Sequence, residues 1–202
     1  MFEKAVHDNW PMLTIFFITM VVIRFAYLKN NRGNKPFYQE FFDIIAVLYI
    51  LLLFELLTNS EANVGGGLNL APFSEITRYR FGSNLYNLNV IGNILIFIPF
   101  GLFVGNYVNP KKVSTPLLVT LVVSMSVEFI QLNIGRSFDV DDIILNVFGS
   151  MIGYFLYIGL CAIKKHLPKF LQKDGLYNAL CIIIIVIIIL YSLKLMGVLA
   201  VK

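Results

Sequence analysis

The feature that most constrains this chain is a series of apolar runs, each about as long as a bilayer is thick, separated by short polar stretches. A span needs roughly 20 apolar residues as a helix, and six runs qualify or come close. They are about Pro11 to Leu28, Phe41 to Leu57, Val90 to Val108, Pro116 to Ile134, Ile143 to Ile163 and Leu176 to Leu199. None alternates with the period of two that a barrel strand requires, so helices are what can satisfy the backbone in lipid. The expected fold is an all-α, polytopic transmembrane bundle of about six spans. Composition agrees: 58% of the 202 residues are hydrophobic and 14% are charged, with a mean hydropathy of +0.78. Soluble domains carry roughly 25% charged residues. This excludes a water-exposed globule, a disordered chain, a disulfide scaffold and a nucleic-acid binder.

Orientation follows from the basic residues, which favour short cytoplasmic loops. Lys29, Arg32, Lys35, Lys111, Lys112, Lys164, Lys165, Lys169 and Lys173 fall on one side, joined by Arg24 if it snorkels. Lys4, Arg78, Arg80, Arg136, Lys194 and Lys202 are scattered over the other. Both termini are therefore expected outside. The N-terminus lacks a basic segment and a small-residue cleavage site, so its first run reads as a retained span. Residues 1–202 read as a single membrane domain to which 11–28 and 176–199 add peripheral spans. The Ile-rich last run, with Lys194 its only interior charge, reads as lipid-facing.

Ionisable groups within spans are expensive and mark functional sites by default. In the fourth run Ser124, Glu128 and Gln131 recur at helical spacing and share one face. Interhelical hydrogen bonding that glues the helices together is the alternative use of such a stripe. Asn133-Ile134-Gly135 then makes a turn. Ser137 or Asp139 can cap the next helix, whose first turn carries Asp141 and Asp142. Capping does not account for Asp142 and Asn146, which continue along one face. If the fourth and fifth helices are antiparallel neighbours, Glu128, Gln131, Arg136, Asp142 and Asn146 meet near the outer surface. The arginine would then serve as an ion-pair partner or as a clamp for a phosphate or carboxylate. Asn89 and Asn93, at i and i+4 in the third run, are expected at the same level, with Pro99 and Gly101 kinking that helix and opening room. Gly149 and Gly153 have the spacing of a close packing face.

The long segment from about Thr58 to Leu88 contains Gly65-Gly66-Gly67 without the lysine and hydroxyl residue of a phosphate-binding loop, which argues against nucleotide binding. Its Arg78 and Arg80 are candidate contacts to anionic headgroups or a phosphorylated ligand. His7 and His166 lie on opposite sides, so no histidine-based triad or zinc site is expected. Cys161 and Cys181 lie in apolar runs. The Asp-rich segment has oxygen donors for a divalent cation, although caps and surface charge explain it more simply. The expected metal and cofactor content is none.

Several of these motifs together resemble the VanZ-like family. They are Asn69-Leu70-Ala71-Pro72-Phe73, Asn89, Gly92-Asn93, Phe97-Ile98-Pro99-Phe100-Gly101, Glu128 with Gln131, and Arg136 through Asp139-Val140-Asp141-Asp142 to Asn146 and Gly149. The resemblance covers about Leu68 to Tyr154. It implies a multi-pass protein of the bacterial cell membrane, in a family whose namesake lowers sensitivity to the lipoglycopeptide teicoplanin without a comparable effect on vancomycin. The expected function is reduced teicoplanin action at the outer leaflet through a polar intramembrane site of Asn89, Asn93, Glu128, Gln131, Arg136, Asp139, Asp142 and Asn146. Membrane lipids are expected partners, and the ligand would be the antibiotic, a lipid-linked wall precursor or an anionic envelope polymer. An alternative is an intramembrane enzyme acting on a lipid-linked substrate with Glu128 or Asp142 as general base. A transporter or a partner subunit are further alternatives.

Overall fold

The computed structural model describes residues 36–58 and 67–195. The expected first span, about Pro11 to Leu28, and the first two glycines of the triplet lie outside the described residues. The described chain is predominantly helical. Its helices are α1 (Phe37–Thr58), the short α2 (Ser74–Arg78), α3 (Asn84–Val108), α4 (Ser114–Asn133), α5 (Val140–His166) and α6 (Asp174–Leu195). Two-residue strands β1 (Leu68–Asn69) and β2 (Phe138–Asp139) pair in parallel, Leu68 with Phe138 and Asn69 with Asp139. Among the described residues three helices, α3, α4 and α5, are long and apolar enough to cross a membrane.

The third helix starts six residues before the expected Val90. Ser83 caps it, its hydroxyl accepting the N–H of Tyr86 at 3.2 Å. Its second turn, Asn87–Ile91, is π-helical, and Gly92–Val108 continues as α-helix through Pro99. A π turn inserts an extra residue into the helical repeat and so rotates the residues on its N-terminal side relative to those on its C-terminal side.

Two compact units organise the described residues. One holds Tyr49–Ala162 and contains the loop, α3, α4 and most of α5. Its centre is Leu53 and Phe97, with Phe97 fully buried, and Tyr49, Ile96, Phe100 and Val127 around them. Tyr49 donates its hydroxyl to the Ile96 carbonyl at 2.7 Å, one turn from Pro99. The glycines determine how closely α3 and α5 approach. A Cβ on Gly149 would lie 2.1 Å from the Ile94 carbonyl oxygen, one on Gly153 1.9 Å from that of Ile98, and one on Gly101 1.9 Å from that of Ser150. Gly149 and Gly153 thus form the expected packing face. Gly101, expected to open room, instead lets the two backbones touch.

The other unit holds the described residues up to Leu48 together with those from Ile163 onward. There the Asn178 side chain accepts the Tyr38 N–H at 2.9 Å, and the Lys164 ammonium lies 4.9 Å from the Tyr177 ring centre and 5.7 Å from that of Tyr38.

Candidate functional site

A tight turn between α4 and α5 assembles the site. Gly135, at φ 89°, ends α4. Its N–H bonds the Leu132 carbonyl at 3.2 Å while that of Arg136 bonds Gln131 at 2.9 Å, the paired closure that favours a left-handed glycine. Arg136 is thereby turned back at the helix end, and its charge acts on both Glu128 and Asp142. Asp139 caps α5, accepting the Asp141 N–H at 2.8 Å, so of the two capping candidates it is Asp139 that closes the helix. Its own N–H donates to the Glu128 carboxylate at 2.9 Å, which pins the buried end of α4 to β2.

The polar face of α4 packs against α5. Thr120, Ser124, Glu128 and Gln131 are buried, none more than 2% exposed. Asn146 donates to the Ser124 hydroxyl at 3.0 Å, and the Thr120 and Ser150 hydroxyls are 2.7 Å apart. The Thr120 hydroxyl also bonds the Pro116 carbonyl at 2.8 Å, so Ser150 is left as the donor between the two hydroxyls. Such bonds hold helices together where side chains cannot reach water. The Asn146 carbonyl oxygen is buried and, among the described residues, accepts no hydrogen bond. It is therefore an open acceptor one turn below Asp142.

From α3, Asn93 donates to Asp142 at 2.5 Å. Asn89 does not join it. The π turn carries Asn89 round, and its side chain donates to the Leu85 carbonyl of its own helix at 3.0 Å. The structure thus brings Asn93, Glu128, Arg136, Asp139, Asp142 and Asn146 to one end of three helices, with Gln131 buried on the same α4 face and Asn89 set apart.

Two residues with unforeseen roles secure the loop above this cluster. Asp141 is fully buried, and its carboxylate accepts the N–H groups of Phe73 at 2.5 Å, Glu75 at 2.7 Å and Ile76 at 3.3 Å. An anion suits the exposed donors of a helix start, here α2. Asn69 donates to Asp139 at 3.0 Å and to the Ser74 hydroxyl at 2.8 Å. Spacing alone could not single out Asp141 among adjacent aspartates, since its partners are 65 to 68 residues away. Arg78 pairs at 2.7 Å with Glu75 within α2 and, like Arg80, is exposed rather than part of the cluster.

The electrostatics at the mouth are acidic. Burial first, with the charges of Asp141 and Glu75 adding to it, pushes the Asp139 carboxyl above the ordinary aspartate value despite the bonds from Asn69 and Asp141. Burial and then the Glu75 carboxylate push the Tyr79 phenol up, and Asp142 adds to the effect. Among the described residues no group of three or more His, Cys, Asp or Glu side chains is arranged to hold a metal ion.

The VanZ/LLP1 family model matches residues 41–163, a stretch that contains the whole cluster and extends beyond the Leu68 to Tyr154 region of resemblance on both sides. Protein VanZ of Enterococcus faecium is 33% identical over 128 residues, which cover 61% of this chain and 70% of that one. No solved structure matches the chain. With helices fit to cross a bilayer and a family match over more than half its length, the chain is a membrane protein belonging to the VanZ/LLP1 family.

Proposed function

We propose that this protein reduces teicoplanin action at the outer face of the bacterial membrane by binding a polar ligand at the cluster around Arg136. The ligand is the antibiotic, a lipid-linked wall precursor or an anionic envelope polymer. The observation that carries this reading is the convergence of Asn93, Glu128, Arg136 and Asp142 from α3, α4, the following turn and α5. Arg136 engages the anionic group of the ligand, since a guanidinium forks onto carboxylate or phosphate. The guanidinium lies within the electrostatic reach of Glu128 and Asp142, and the open acceptor on Asn146 receives a ligand hydroxyl or amine. In this reading the protein is multi-pass, and the cluster faces outward because the basic loops lie at the opposite ends of the same helices.

The test is the inhibitory concentration of teicoplanin and of vancomycin for a susceptible Gram-positive host carrying wild-type protein or Asp142→Asn, matched for protein in the membrane. Wild type raises the teicoplanin value alone, and Asp142→Asn returns it to that of the host. An unchanged teicoplanin value with wild type overturns the function. Full protection by Asp142→Asn overturns the site.

A further inference from the structure

We propose that the segment from Gly67 to Leu88 is an interfacial cap, seated in the headgroup layer on the site's side of the membrane with its apolar side chains in the upper acyl region. Leu68, Leu70, Phe73 and Phe81 are 65%, 61%, 57% and 84% exposed. Side chains of this kind clustered within 14 residues of one loop need an apolar cover.

The fold sets their height. Phe81 stands three residues before Asn84, where a 25-residue membrane-length helix begins. Leu68 and Asn69 pair with the strand immediately before α5, and Asp141 in the first turn of α5 holds the backbone of Phe73. The segment is thus tied at three points to the ends of membrane helices, where apolar rings with polar neighbours are at home. Phe73 is one of two described non-glycine residues with positive φ, 67°, an unfavourable conformation for an aromatic residue. The hydrogen bond to Asp141 holds it there with its ring exposed. Arg80, also exposed, and Tyr79 and Tyr86 supply the charged and amphipathic groups that meet headgroups. Lipid is the occupant that fits, since the cap is continuous with a helix long and apolar enough to cross a bilayer. The cap requires the membrane placement of α3 and α5 and is independent of the ligand at Arg136.

Trp10 is the chain's only tryptophan, so the cap can be read by fluorescence. The full chain carrying Trp10→Phe with Phe81→Trp, or with Leu70→Trp, is reconstituted in phosphatidylcholine vesicles. Matched vesicles contain lipid brominated either high on the acyl chain or near its end. The indole is expected to emit at short wavelength, to lose most of its fluorescence to bromines high on the chain and less to those near the end, and to be spared by aqueous iodide. Long-wavelength emission quenched by iodide places the segment in water and overturns the proposal. Short-wavelength emission indifferent to brominated lipid means that protein covers the patch, a second copy of the chain included, and overturns it equally. Leu70 has ordinary backbone geometry, so its variant keeps the test intact if Phe81→Trp perturbs the contact with Tyr86.

Discussion

Asn93 and Asp142, 49 residues apart in the chain, meet in a 2.5 Å hydrogen bond that joins α3 to α5 at the mouth of the polar cluster. An amide on a carboxylate in a partly buried setting adds specificity to a seam where the backbones touch at three glycines. In a double-mutant cycle with Asn93→Ala and Asp142→Ala, the double variant should lose less stability than the two singles together. The coupling expected is about 1 kcal/mol, in the range of polar pairs between membrane helices. Unfolding in denaturant from bilayer or micelle measures it, and strict additivity would show that the bond contributes nothing.

Asp141→Ala removes the acceptor for three N–H groups of the loop. The loss should be about 2–4 kcal/mol, because three partly buried backbone donors lose a charged acceptor. It should also be local. Trypsin acting on vesicle-embedded protein is expected to cut after Arg78 and Arg80 much faster in this variant than in wild type, while the membrane helices remain intact.

The glycine seam predicts opposite outcomes for the same substitution. Gly101→Ala and Gly153→Ala each place a methyl group 1.9 Å from a carbonyl oxygen. The helices must part, and both variants should be severely destabilised or fail to accumulate. Gly159 in α5 has nothing within 4 Å of its would-be Cβ. Gly159→Ala should be neutral or stabilising by up to about 1 kcal/mol from helix propensity. Membrane yield and thermal unfolding of the purified variants distinguish them.

Stability should depend on pH through Asp139, whose carboxyl is held above its ordinary value of 3.8 chiefly by burial. A raised value means that the folded chain binds this proton more tightly than the unfolded chain. The associated stabilisation is complete below pH 3.8 and is lost as pH rises through the folded-state value. Asp139→Asn keeps a side chain able to cap α5 and removes the titration. The fall in stability across this window should flatten in the variant, as read from unfolding curves at a series of pH values. An unchanged slope would assign the dependence to another group.

Part of this architecture was legible because helical spacing converts directly into shared faces. Ser124, Glu128 and Gln131 lie on one side of any α-helix, and the structure buries all three. Asp139 could be picked as a cap because it precedes a helical run. Asn89 and Asn93 follow the same rule and part company nonetheless, because the π turn at Asn87–Ile91 breaks the rotation that the rule assumes. Asp141 is the harder case. Next to Asp139 and Asp142 it looks like one of three similar charges, and what distinguishes it is a loop backbone brought back from more than 60 residues away. Likewise Pro99-Phe100-Gly101 suggests a break, but whether a small residue opens a gap or closes one depends on the neighbour, which is the Ser150 backbone.

Main chain against main chain is a contact that cannot be loosened by a change of rotamer. At Gly101, Gly149 and Gly153 the α3–α5 seam has no intervening side chain to slide or swing, so this pair acts as one rigid wall. A rocking motion of these two helices against each other is opposed by their own backbones.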